Sequence, residues 1–345
     1  MSDTKDSGYV FHKERLPILL DLLMAEYRLI APVKNDIGID FRQIKNSEDV
    51  CLDYHNTDRP PKGFFLPQAE SLMTFNPLNN SIQEGAVSDK PAAILFGVRP
   101  CDASAISHLD RVFIDDEPED PYYRKYREAY LIISLACSEP QPTCFCTSVN
   151  CRPDAEKGAD IMMHALNGRY YIKGITCKGA ALIAGLVDHL KPATAQDIEE
   201  KNTLADKAIS MVKSSFDCKA FRNKMEDFDA SWWEDISRKC LGCGVCTYLC
   251  PTCHCFDITD ESGRHQGKRI RTWDSCMYPL FTLHASGHNP RKGQKERIRQ
   301  RIMHKFNYAF KYYQEVFCVG CGRCILQCPV NFDIRQVIKR ITEAS

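Results

Sequence analysis

Eight cysteines towards the end of this chain fall into two copies of one spacing. They are Cys240-x2-Cys243-x2-Cys246-x3-Cys250-Pro251 and Cys318-x2-Cys321-x2-Cys324-x3-Cys328-Pro329. Three thiolates on one tight turn match three corners of an iron–sulfur cubane, and in modules carrying two such runs the fourth cysteine of each run ligates the other cluster. The spacing therefore predicts one [4Fe–4S] cluster on Cys240, Cys243, Cys246 and Cys328, and a second on Cys318, Cys321, Cys324 and Cys250. The proline after each fourth cysteine blocks helix continuation at the ligand. The glycines flanking Cys243 and Cys321 let the backbone approach the inorganic sulfurs closely. Zinc sites usually group four ligands as two separated pairs, which two full runs with both prolines do not resemble. The chemistry this implies is single-electron transfer.

A second group lies upstream. Cys101, Cys137, Cys144 and Cys146 are enough thiols for a third cubane. Free cysteine is also among the most buried residue types, so packing is the competing reading, although the Cys144-Phe145-Cys146 pair in a Pro-bounded loop is harder to explain that way. Cys151 follows closely and could replace one ligand. A third group, Cys253, Cys255 and Cys276 with His254, His284 and His288 nearby, reads as packing and thiol hydrogen bonding around a neighbouring cluster, whose ligand set is already complete. Cys51, Cys177 and Cys218 are isolated and read as buried or inert.

The elements that must position these groups are legible in part. Ala92–Val98 and Tyr130–Ala136 are short, nearly continuous apolar runs of the kind that form strands buried on both faces. Each ends at a cysteine, Cys101 or Cys137. Ala103–Phe113 and Tyr122–Arg127 between them read as helical, so both thiols sit at carboxyl strand ends, the edge where open α/β sheets bind ligands. Further helices are expected at Leu16–Leu29, Gly179–His189 and Ala205–Lys213, and a short strand at Val50–Tyr54. In the insertion between the two runs (251–317), Ile298, Ile302, Met303, Phe306 and Phe310 recur at helical spacing within Arg291–Tyr313. That segment reads as an amphipathic helix with a basic outer face that, with Arg264–Arg271, could dock a partner or raise cluster potentials. The expected fold is an α/β domain with a mixed or parallel sheet (1–225), followed by a mostly helical ferredoxin-like two-cluster domain (226–345).

Composition excludes several classes. Lys plus Arg and Asp plus Glu both number 45, so no net field points to nucleic acid. No apolar run approaches a membrane span, and the polar N-terminus lacks a secretory core. Nineteen cysteines without an export signal argue for metal ligation in a reducing cytoplasm. No dinucleotide fingerprint, phosphate loop or nucleophile elbow is present, so no catalytic residue is assigned.

At Leu52-Asp53-Tyr54, Asn56-Thr57, Pro60-Pro61-Lys62, Phe96–Ala103, Leu135-Ala136-Cys137, Cys144-Phe145-Cys146, Pro251–Asp257 and Trp273–Cys276, the chain resembles the iron–sulfur beta subunit of soluble cytoplasmic NiFe hydrogenases (sulfhydrogenases), a family related to the A component of anaerobic sulfite reductase. Ser148–Pro153 replaces a more Gly-rich stretch of that family and leaves the role of Cys151 open. The resemblance implies an electron-relay subunit with no active site of its own. Its partners would be a flavin- and NAD(P)-binding subunit, or ferredoxin, and a catalytic subunit such as a NiFe hydrogenase, a sulfite reductase or a heterodisulfide-reductase-like unit. Two other readings compete: a self-contained iron–sulfur enzyme acting on thiols or disulfides, and a redox-responsive binding protein.

Overall fold

The computed structural model describes residues 8–79, 81–84, 92–225 and 227–343. Its larger sheet has eight strands. In chain order these are β1 (Tyr9–His12), β2 (Arg28–Asn35), β3 (Gly38–Gln43), β6 (Ala93–Val98), β7 (Tyr130–Leu135), β8 (Ile161–Ala165), β9 (Arg169–Gly174) and β10 (Lys191–Pro192), with β4 (Ala69–Asn76) and β5 (Ser81–Glu84) belonging elsewhere. The spatial order is β10-β1-β9-β8-β7-β6-β2-β3. The four central strands β8, β7, β6 and β2 run parallel, and the flanking pairs are antiparallel, so the sheet is mixed.

Every residue of β6 is buried, as an apolar run covered on both faces requires. Leu29, Ile94, Ile133 and Ile161 enter a core under the helix α1 (Leu16–Glu26). Leu95, Ile132 and Phe65 enter another core, under α2 (Pro100–Phe113) and α3 (Pro121–Ala129). The helix expected to reach Leu29 stops at Glu26, because Arg28, Leu29 and Ile30 pair with Ala93, Ile94 and Leu95 as strand β2. Residues 50–54 form no strand; Tyr54 is buried and its hydroxyl donates to the Gly97 carbonyl.

The C-terminal part, expected to be mostly helical, also contributes strands. β11 (Phe256–Ser262) and β12 (Gly267–Trp273) form an antiparallel hairpin, and β12 pairs with β4, giving a second sheet of order β11-β12-β4-β5. Arg271 explains the lock. It is almost wholly buried and pairs with Glu70 of β4 at 2.6 Å and with Asp120 at the start of α3. A buried cation needs such partners, so this arginine belongs to no docking surface.

The segment read as one amphipathic helix is a helix over Gln294–Met303, a π-helical turn over His304–Tyr308 and a helix over Ala309–Tyr313. Its apolar residues do face the core, but Arg297, Arg299, Arg301 and Lys305 are buried as well. These four side chains therefore point inward, Arg301 and Lys305 towards the cysteine runs. Phe145 and Val149 share this core with Trp233, Met277 and Ile338, so the two halves of the chain are packed as one body.

Candidate iron–sulfur centres

The two cysteine runs adopt the same local geometry. In each, the central cysteine lies between two left-handed glycines, Gly242 and Gly244 around Cys243, Gly320 and Gly322 around Cys321. Each run then enters a one-turn helix, Val245–Tyr248 or Arg323–Leu326. Positive φ is the conformation that only glycine adopts at little cost. At Gly320 close approach adds a second reason, since a Cβ there would lie 2.4 Å from the Cys146 amide nitrogen.

Cys240, Cys243, Cys246 and Cys328 line one cavity, which Cys324, Arg301, Val245, Ile298, Ile302 and Phe332 also line. The donors facing these sulfurs are neutral amides: Gln294 Nε2 to Cys240 at 2.9 Å, the Gly242 N–H to Cys240 at 3.4 Å and the Phe332 N–H to Cys328 at 3.2 Å. Cys250 does not line that cavity; its charge acts on Cys318, Cys321 and Cys324 and also on Cys246. Lys305 Nζ donates to its sulfur at 3.0 Å. Burial pushes the Cys324 thiol up to about 12 and raises Cys318 and Cys321. Cys250 is lowered instead, first by a hydrogen bond from the Cys253 thiol and then by the Lys305 charge. Among the described residues no three Cys, His, Asp or Glu side chains converge as the ligands of a single metal ion do. Cys240, Cys243, Cys246 and Cys328 stand around a cavity instead, a donor set of soft sulfur ligands that fits a cluster.

The upstream cysteines also meet. Cys101, in the first turn of α2, Cys137, just past β7, and Cys144 and Cys146 line a second cavity together with Cys321 of the later run. The Phe145 N–H donates to the Gly320 carbonyl at 2.9 Å, and the Cys144 thiol to the Cys321 carbonyl at 3.8 Å. Burial raises all four thiols, Cys144 to about 12. Cys151 is not on that wall: its thiol turns behind it to Ser104 Oγ, 3.7 Å away. Arg99 and Asp102 do not face the sulfurs as free charges. Arg99 stacks on the Tyr54 ring and donates to the carbonyls of Ala136, His55 and Tyr54. Asp102 forms a buried ion pair with Arg323.

The third group separates into two thiol pairs. The Cys253 thiol hydrogen-bonds to Cys250, and the Cys276 thiol to Cys255, which that hydrogen bond lowers to about 6. Cys177 is exposed and Cys51 half-buried, while Cys218 donates to the Ser148 carbonyl at 3.0 Å.

Several residues that build this region carried no signal in cysteine spacing. Lys62 is buried, 4.2 Å from the Trp273 ring, and donates to the Cys253 carbonyl at 2.9 Å. Asn56 donates to the Cys321 carbonyl at 2.9 Å and accepts from the Cys101 thiol at 3.7 Å. Arg301 donates to the Cys246 carbonyl at 3.0 Å.

No helix of the described residues is long and apolar enough to cross a membrane. Residues 239–332 match the family of 4Fe-4S dicluster domains, which identifies the cofactor type as [4Fe–4S]. Over 334 residues, 96% of this chain and 97% of the relative, the sequence is 31% identical to sulfhydrogenase 2 subunit beta of Pyrococcus furiosus. Near-complete coverage of both chains includes the α/β half as well as the cysteine runs, and on that ground the chain belongs to the family of hydrogenase beta iron–sulfur subunits.

Proposed function

We propose that this chain is the electron-relay subunit of a multi-subunit oxidoreductase, carrying single electrons between a flavin- and nucleotide-binding subunit and a catalytic subunit. The observation that carries this reading is the adjacency of three cysteine groups. The cavity of Cys101, Cys137, Cys144 and Cys146 shares Cys321 with the second run, and the second run shares the wall of the first run's cavity through Cys324. In the proposed assignment Cys240, Cys243, Cys246 and Cys328 hold one [4Fe–4S] cluster, Cys318, Cys321, Cys324 and Cys250 a second, and the four upstream cysteines a third. The clusters supply one-electron chemistry when bound. The protein's own contribution is ligation, exclusion of water by the apolar walls and fixed positive charge beside the sulfurs. Cys243 is exposed, which puts one end of the row at the surface, where a partner could exchange electrons. The NiFe hydrogenase type of catalytic partner is favoured by the relative, a sulfhydrogenase subunit, and a cytoplasmic setting suits free thiols.

The test is transfer without turnover. Anaerobically prepared chain carrying iron and acid-labile sulfide should be reduced by dithionite and pass those electrons to a one-electron acceptor. It should neither oxidise H2 nor reduce NAD(P)+, sulfite or disulfides. Sustained turnover of any of these by a preparation free of flavin and nickel would replace the relay with a self-contained enzyme.

A further inference from the structure

We propose that Lys305 is a potential-setting residue, holding the cluster of the second run above that of the first run in reduction potential. The proposal rests on the crossed ligation described above, in which Cys250 serves the second cluster.

Lys305 lies in the π-helical turn His304–Tyr308 and is 2% exposed. Single π turns inside helices often mark functional positions. Its Nζ meets three acceptors: Cys250 Sγ at 3.0 Å, Thr252 Oγ1 at 2.9 Å and the Phe317 carbonyl at 3.1 Å. An ammonium has three N–H donors and no acceptor, so the site is built for the charged form. Thr252 is fixed in turn, its hydroxyl donating to the Phe317 carbonyl at 2.7 Å. The Phe317 N–H returns to the Lys305 carbonyl at 2.8 Å. The cation is thus tied on both sides to the residue preceding Cys318.

The other charges nearby do not reproduce this effect at the first run. Arg301 faces Cys246 of one run and Cys324 of the other, and so acts on both. Arg323 is neutralised by Asp102. Lys62 adds its field to the Cys250 side, through Cys253 and Cys250. The sulfurs of the first run receive bonds from Gln294, Gly242 and Phe332, all uncharged. Reduction adds one negative charge to a cluster. A buried cation and a charge-assisted hydrogen bond to a ligand sulfur favour that state, and both are attenuated little in a low-dielectric interior. The asymmetry therefore has one sign, with the second site easier to reduce.

EPR-monitored redox titration of the full chain tests this, with the clusters identified by Cys243→Ser for the first and Cys250→Ser for the second. In the unsubstituted chain the midpoints of the first and second clusters should be separable, the more positive of the two belonging to the second cluster. Lys305→Met should move that midpoint down and leave the first in place. Lys305→Arg, which keeps the charge, should restore most of the separation, an outcome a merely structural role would not give. Equal midpoints in the unsubstituted chain, or a more positive first cluster, overturn the proposal even where neither variant loads iron. An iron-replete Lys305→Met chain with both midpoints unmoved also overturns it. Failure of the ligation reading is seen separately: Cys250→Ser would then perturb the first cluster and leave the second intact.

Discussion

Arg323 and Asp102, 221 residues apart, form a two-bond ion pair of 2.6 and 2.7 Å in which both side chains are almost wholly buried. Asp102 stands beside Cys101 in the first turn of α2. Arg323 stands between Cys321 and Cys324 of the second run. The guanidinium also donates to the Thr57 carbonyl at 2.8 Å and to its hydroxyl at 3.2 Å. One interaction thus fixes the distance between the upstream cysteine cavity and the second run. Removing one partner of such a pair leaves an uncompensated buried charge, at a cost of about 3–5 kcal/mol. Asp102→Ala should lower apparent stability by that order in anaerobic chemical denaturation and weaken iron retention at both sites. A loss below about 1 kcal/mol would mean that water or Thr57 compensates for the missing carboxylate.

Cys250 separates crossed from uncrossed ligation. It belongs in sequence to the first run, and its electrostatic neighbours are Cys246 of that run and Cys318, Cys321 and Cys324 of the second. Cys250→Ser should alter the EPR signal of the second cluster or reduce iron by up to about four atoms per chain. Cys328→Ser should do the same to the first, whose cavity it lines. If each substitution disturbs only the cluster of its own run, the crossed assignment fails.

The strands that carry Cys101 and Cys137 are visible in the sequence because a strand buried on both faces must be apolar at every position, as β6 is. The convergence of Cys144 and Cys146 on the same sheet edge followed from the shortness of the loop. The hairpin β11–β12 was missed for a physical reason. Its partner β4 lies almost 200 residues earlier in the chain, and strand propensity is decided largely by such neighbours. The inward direction of the basic helix was hidden likewise. Arg297, Arg301 and Lys305 look like a solvated face until their acceptors, the Lys292, Cys246 and Phe317 carbonyls, are brought in by the fold.

His164 on β8 gives the α/β half an acid-sensitive point away from the cysteine runs. It is buried edge-on to the Tyr171 ring, and burial lowers its pKa from 6.5 to about 4, helped by Lys201. Between those values the unfolded chain takes up a proton that the folded chain refuses. The stabilising contribution is therefore complete above about pH 6.5 and lost as pH falls towards 4, roughly 3 kcal/mol over the whole window. His164→Gln should flatten the stability profile between pH 7 and 5 relative to the unsubstituted chain. Parallel profiles in chemical denaturation would show that His164 is protonated in the folded state.

The upstream cysteines decide how many clusters the chain carries. Four thiols line one cavity, and burial raises each of them. Iron binding would replace their protons, since a coordinating thiol is deprotonated outright. Arg99 holds the carbonyl of Ala136, next to Cys137, and Asn56 holds Cys101, so two of the four are positioned from outside their own segments. Anaerobically reconstituted chain should contain about twelve irons if all three sites fill, and about eight in the Cys144→Ser/Cys146→Ser double variant. The two remaining clusters should keep their EPR signals in that variant, because Cys321 reaches the cavity from the second run and retains its own ligand set. About eight irons in the unsubstituted chain, together with four titratable thiols at Cys101, Cys137, Cys144 and Cys146, would show that these residues are packing groups and that the relay has two clusters.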